Sequence, residues 1–200
     1  MVMEEKVNIA EILKDKPQGT KLYDLLRNID VKLDEVHITD VGTYIECTST
    51  NEVGSTFLFD YSKLGTEESW LDGLQILLPS KEMRDWSKFQ WEKGDVLISN
   101  DGGTEVIFDE WYDDTYTSFY CKHYLNSEDK NKIVYYEEFL CTTERYSLED
   151  KDIAQTYINT IEKRLDGKLN LETLEIESNQ SSRMEIYLVV MKIHLQNTQL

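Results

Sequence analysis

The sequence predicts a mainly β chain of the α+β type, with two small SH3-like or OB-like β-barrels in tandem and a C-terminal helix. Three observations predict it. Short apolar runs alternate with period two between Gly, Pro and Asn turns. The order of those runs occurs twice. A long apolar stripe at helical spacing follows residue 147.

Val7, Ile9, Ile12 and Leu13 recur at helical spacing ahead of Pro17-Gln18-Gly19, which predicts a short leading helix. Strands are predicted over Lys21–Tyr23, Val31–Val36, Thr43–Cys47, Thr56–Phe59 and Leu74–Leu78, runs rich in β-branched and aromatic residues. Turns fall at Val41-Gly42 and Glu52–Ser55, and Pro79 ends the set. Ser80 is placed to cap a helical turn or two running to Trp86, with Glu82 where the helix dipole favours an acid.

The second half repeats the plan. Gly94–Ile98 echoes Gly19–Tyr23, Glu105–Trp111 echoes Val31–Val36, and Ser118–Cys121 echoes Tyr44–Cys47. Ile133–Tyr136 stands where Phe57–Phe59 stood, and Glu138–Thr142 where Ile76–Ser80 stood. Asn100-Asp101-Gly102-Gly103 is a tight-hairpin signal, because Gly accepts positive φ without a steric penalty. Closing five short strands into a barrel would also remove the sticky edges of a free meander.

Ser147, as cap, with Asp150 three places on, opens a helix. Its stripe is Ile153, Tyr157, Ile158, Ile161 and Leu165, and Gly167 stops it. Leu169, Leu171, Leu174 and Ile176 predict an extended segment or hairpin. Ser178–Ser182 is a break, and Glu185–Leu195 reads as a buried strand or a short helix. The predicted organisation is a first barrel unit with its leading helix over residues 1–90, a second over 91–146, and a helix plus extended tail over 147–200.

The 200 residues include 39 acidic and 21 basic side chains, for a formal net charge of −18. The middle stretch is the most acidic: residues 91–146 carry 13 acids against 5 bases. A field of this sign repels phosphate backbones and anionic lipid, so direct nucleic-acid and membrane binding are not expected. Acidity also serves solubility, which is the plainer reading. Cys47, Cys121 and Cys141 are odd in number and lack a C-x-x-C pair, while His37, His123 and His194 stand apart. No disulfide framework, metal centre or cofactor is therefore expected. The N-terminus lacks a basic start with an apolar core, and no run is long enough to span a bilayer, so a cytoplasmic location is expected.

One stretch carries a resemblance: Leu77-Leu78-Pro79-Ser80-Lys81-Glu82-Met83-Arg84-Asp85-Trp86-Ser87-Lys88-Phe89. With Val7–Asp15 and Lys93-Gly94-Asp95-Val96, it resembles an uncharacterised family of gut Bacteroidales and their phages and mobile elements. The resemblance covers roughly residues 5–165 and implies a bacterial or phage setting. Members of that family continue after the helix with an Asn-Gly-Tyr-x-Trp hairpin, from which Asp166-Gly167-Lys168-Leu169-Asn170 departs. It transfers no catalytic residue.

No phosphate-binding loop, dinucleotide turn or nucleophile elbow is present. Asp109, Glu110, Asp113 and Asp114 surround Trp111 and Tyr112 but lack the ordered ladder of a calcium loop, and read as the solvated end of a hairpin. Aromatics ringed by charge are the pattern of a protein-binding patch. Trp111, Tyr112, Tyr116 and Trp70 are accordingly the candidate partner-contact residues. The expected function is a non-enzymatic protein-interaction module. The alternatives are an acidic nucleic-acid mimic that inhibits a DNA-binding or defence protein, and an enzyme whose site is assembled from scattered residues.

Overall fold

Asn8 caps the chain's first element by accepting a hydrogen bond from Glu11 N, which sets the start of helix α1 (Ile9–Leu13). In this computed structural model residues 7–40, 42–67, 74–124 and 136–178 are described. Strands β1 (Lys21–Asp24), β2 (Ile29–Thr39), β3 (Gly42–Thr50), β4 (Thr56–Ser62) and β5 (Leu77–Leu78) follow α1. They form one antiparallel sheet in the order β4-β3-β2-β1-β5. The β2–β3 register slips between Leu33 and Glu35, a bulge that adds twist and helps to curl the sheet.

Helix α2 (Trp86–Phe89) precedes β6 (Val96–Ser99), β7 (Glu105–Trp111), β8 (Ser118–Tyr124), β9 (Tyr136–Thr142) and β10 (Tyr146–Leu148). These strands form a second sheet in the order β10-β6-β7-β8-β9. Helix α3 (Lys151–Leu165) and the hairpin of β11 (Gly167–Asn170) with β12 (Glu175–Ser178) complete the described chain. The protein is thus mainly β, with curled antiparallel sheets and a C-terminal helix. No helix among the described residues is long and apolar enough to cross a membrane.

The two sheets share more than strand order. Gly19 N donates to Leu33 O, Leu33 N to Thr20 O, and Thr20 N to Pro17 O. Shifted by 75 positions (19 to 94), the same bonds recur: Gly94 N to Phe108 O, Phe108 N to Asp95 O, and Asp95 N to Glu92 O. The glycines match in conformation too, at φ +87° and +96°, which only Gly adopts without strain. Leu22 faces Val31 as Leu97 faces Val106, at the same shift. The closing strands also agree, with Leu25 N bonded to Ile76 O and Asn100 N to Arg145 O.

Two compact units divide the chain. One draws on Met1–Trp91, Trp111–Phe119 and Thr142–Glu144, the other on Glu92–Glu110, Tyr120–Cys141 and Arg145–Leu200. The first core gathers Ile9, Leu13, Leu22, Val31, Ile45, Cys47, Tyr61, Leu77, Trp86 and Phe89. The second contains Val96, Ile107, Tyr124, Ile161, Leu169 and Leu174, with Tyr157, Ile158 and Leu165 of α3 packed on it.

Three elements differ from the sequence reading. Ser80 does accept from Met83 N at 2.9 Å, but it caps only a turn, and α2 starts later on Asp85, which accepts from Ser87 N and Lys88 N. Ser147 pairs with Ile98 in β10, so the cap of α3 moves to Asp150, which accepts from Asp152 N and Ile153 N. Glu138–Thr142 falls within β9, and the strand that closes the second sheet is β10. Ile133–Tyr135, Trp70 and the tail from Asn179 lie outside the described residues.

Candidate functional site

The expected aromatic patch is built on the end of β7 and the turn that follows it. Asp113 accepts from Thr115 N at 2.9 Å and from Thr115 Oγ1 at 2.5 Å, and these bonds hold its carboxyl below the usual range. Asp113 O accepts from Tyr116 N at 3.2 Å, which places Tyr116 in the left-handed region at φ +57°. That turn drives the Tyr116 ring inward. It is 6% exposed, its hydroxyl donates to Lys21 O at 3.0 Å, and burial with Asp114 nearby pushes its phenol up to about 12.

Trp111 goes inward as well. Its ring stacks on Trp91 at 5.8 Å and 9°, and meets Tyr116 edge-on at 5.5 Å and Phe119 at 6.4 Å. Phe89 joins Tyr116 at 4.9 Å and Trp86 joins Phe89 at 5.3 Å. These edge-to-face and offset contacts are those favoured by the ring quadrupoles. Tyr116 is therefore a core aromatic, Trp111 is partly buried against that core, and of the described candidates Tyr112, 52% exposed, is the most exposed. The surrounding acids have other partners. Asp109 pairs with Lys93, Asp114 pairs with Lys21, and Asp113 builds its own turn.

The exposed apolar surface of the first unit lies elsewhere, on β4. Among the described residues β4 has one sheet neighbour, β3. Asn51 N donates to Ser55 O, and the unbroken β3–β4 register then turns the backbone groups of Phe57, Phe59 and Tyr61 toward β3. By the same alternation Thr56, Leu58 and Asp60 direct theirs toward the open edge. Ser62 N agrees, donating away from β3 to Thr66 O. Along this edge Phe57 is 49% and Leu58 57% exposed, with Val53 exposed in the adjoining β3–β4 connection. Two adjacent apolar residues on a strand point to opposite faces, so one of them had to lie outside. That signal is readable in Phe57-Leu58.

The outer face beside Leu58 is acidic. Asp60 stands opposite Glu46, and Glu46 opposite Glu35 across the bulge. Desolvation, then the Asp34 carboxyl, raises the Glu46 carboxyl above its usual range. His37 stacks on Tyr44 at 4.4 Å, and its Nε2, 3.9 Å from Glu46 Oε2, is buried without a hydrogen bond. Among the described residues no group of His, Cys, Asp and Glu could hold a metal ion.

Beneath β4 the sheet is anchored by a buried carboxylate. Asp24, 0% exposed, accepts from Tyr61 Oη at 2.6 Å, Arg27 N at 2.9 Å and Arg27 Nη1 at 2.7 Å. Glu67 holds the other side of the guanidinium at 2.8 and 3.0 Å, and Arg27 also lies over the Phe59 ring at 4.8 Å. Burial alone would lower the Arg27 pKa, and the two carboxylates more than reverse it. The phenol of Tyr61 is raised by burial and by its bond to Asp24. This network fixes the inner end of β4 while leaving its outer end open.

The first unit also carries a surface groove of about 500 Å³ bordered by Met83, Arg84, Lys88, Tyr116 and Thr143, with Lys88 Nζ donating to Thr143 O at 3.0 Å. These features define a β-rich chain with an open, apolar and acidic sheet edge. No protein-family model, curated protein or solved structure matches the chain.

Proposed function

We propose that this chain is a non-enzymatic protein-interaction module that takes up an extended, apolar and cationic segment of a partner protein along β4. One observation carries the reading. β4 turns the Thr56, Leu58 and Asp60 backbone groups outward next to exposed Phe57 and Leu58 and to the carboxylates of Asp60 and Glu46. An added strand would satisfy the backbone edge, seat alternate side chains on Phe57 and Leu58, and bring positive charge to the Asp60 and Glu46 carboxylates. A Glu46 carboxyl with a raised pKa gains from an incoming Lys or Arg, because the cation restores its ionised form.

Reading each curled sheet as a small SH3-like or OB-like barrel, the two related by duplication, is part of the same proposal. It is supported by the shared five-strand order and the hydrogen bonds repeated at a constant shift. Barrel modules of this size commonly bind through strand edges and connecting loops. The nucleic-acid mimic takes second place, because Asp109, Asp113 and Asp114 are engaged by lysines or by their own turn.

The test is affinity capture of partners from native cells with the intact chain, repeated with Leu58→Pro and with Glu46→Lys/Asp60→Lys. Leu58→Pro removes one outward N–H and leaves the β3 pairing untouched. Recovery of the partner is expected to fall at least about tenfold with either variant, while Tm stays within a few degrees and Tyr112→Ala binds normally. Undiminished capture by both edge variants would remove β4 as the site. A basic DNA-binding partner released by salt but indifferent to Leu58→Pro would favour the mimic.

A further inference from the structure

Each of the neighbouring strands β8 and β9 supplies one cysteine to the same place in the second unit. Cys121 Sγ lies 3.1 Å from Cys141 Sγ, closer than two sulfurs pack without interacting. Cys121 is fully buried and its thiol also reaches Phe139 O at 3.6 Å. Cys141 is half-buried, which makes it the more accessible residue of the pair. A disulfide needs the sulfurs about 1 Å nearer, a shift within the side chains' reach on neighbouring strands.

The surroundings favour reaction at Cys141. Its sulfur accepts from the Cys121 thiol and from the Tyr146 hydroxyl, and against the opposing effect of burial these donors hold its thiol down at about 7. Cys121 is raised by its bond to Cys141 and by burial, and Tyr146 by burial and then by its bond to Cys141. The contrast is Cys47 in β3. It stands opposite Phe59, and burial followed by Asp24 pushes its thiol up to about 12. A partly exposed thiolate with a second thiol in contact has the layout of a redox-active pair, and a buried high-pKa thiol is inert.

We propose that Cys121 and Cys141 form a reversible dithiol–disulfide couple responsive to hydroperoxides, with Cys141 as the reacting thiol and Cys121 as the resolving one. The Cys141 thiolate attacks a peroxide oxygen. The O–O bond breaks, hydroxide leaves, and Cys141 becomes the sulfenic acid. The Cys121 sulfur then attacks the Cys141 sulfur. An S–S bond forms, the S–O bond breaks, and the Cys121 proton leaves with the departing hydroxide as water. The net change is two thiols and one hydrogen peroxide giving one disulfide and two waters, reversed by a dithiol reductant. The bond would join β8 covalently to β9.

The experiment exposes the reduced full-length chain to hydrogen peroxide, blocks remaining thiols with N-ethylmaleimide, and maps the peptides by mass spectrometry. The expected product is a Cys121–Cys141 cross-linked peptide that disappears with dithiothreitol, with Cys47 blocked only after denaturation. Tm should rise by roughly 5–10 °C on oxidation. In Cys121→Ser the Cys141 sulfenic acid should accumulate and be trapped by dimedone, whereas Cys141→Ser should give neither cross-link nor adduct. Two free thiols at peroxide levels that oxidise free cysteine, or oxidation falling first on Cys47, would overturn the proposal. The wild-type peptide map decides even if a serine variant fails to fold.

Discussion

The two sheets share a backbone and differ in what fills it. Strand order, the bonds from Gly19 and Gly94, and the closing bonds from Leu25 and Asn100 repeat. At the end of the first strand, however, the first sheet has Asp24 and the second, at the same shift, has Ser99. Asp24 is a buried acceptor for Tyr61 and Arg27, whereas Ser99, the last residue of β6, accepts from Thr104 N and donates to Asp101. The sulfur chemistry divides as well, with a solitary high-pKa thiol in β3 and a contacting pair on β8 and β9. Register is held by main-chain bonds that tolerate many side chains, so the frame can repeat while the chemistry on it diverges.

The sharpest way to break this comparison is at the paired positions Asp24 and Ser99. Asp24→Ala leaves the buried Tyr61 hydroxyl without its acceptor and the part-buried Arg27 guanidinium with Glu67 alone. It should cost about 2–3 kcal/mol in urea unfolding, because a buried hydroxyl is left unsatisfied and the guanidinium loses one of its two carboxylates. Ser99→Ala loses one exposed and one part-buried hydrogen bond and should cost about 1 kcal/mol. Equal losses would mean that the two positions carry equal loads.

A smaller difference is expected at the two glycines. Both Gly19→Ala and Gly94→Ala force a side chain into positive φ, at about 1–2 kcal/mol each. A Cβ at Gly19 meets open space, whereas one at Gly94 comes within 2.9 Å of Leu171 Cβ and 3.2 Å of Leu171 O. Gly94→Ala should therefore be the worse of the two by about 1 kcal/mol in the same assay.

The last test leaves stability almost untouched. Alkylation of Cys141 by iodoacetamide should quicken as pH rises through about 7 and then level off, since the thiolate is the reactive form. Tyr146→Phe removes one donor to that thiolate and should move the rise to higher pH. Cys47 should stay unmodified throughout, its thiol ionising only near 12.

Much of the frame could be read from residue order, because Gly-start, strand and turn are local signals with local causes. Gly19 and Gly94 are recognisable as turn glycines from their neighbours alone. The misreadings came where a long-range partner decided the matter. Ser147 has the composition of a helix cap, yet pairing with Ile98 draws it into β10. Trp111 looks exposed among acids, and only the turn that Asp113 builds shows why those acids lie beside a ring packed against the core. Three scattered cysteines argue against a disulfide framework. That two of them touch depends on β8 and β9 being neighbours, which no spacing in the chain announces.

Each sheet is finished by a strand that is synthesised late. Leu25 must wait for Ile76, and Asn100 for Arg145, before β1 and β6 gain their second neighbour. During translation and refolding, both strands therefore present a bare flank to any other extended chain nearby. Long loops must close before that flank is covered, which makes the final pairing the slow step for either half. A nascent chain stalled before Ile76 emerges would be the form most prone to stick to its neighbours.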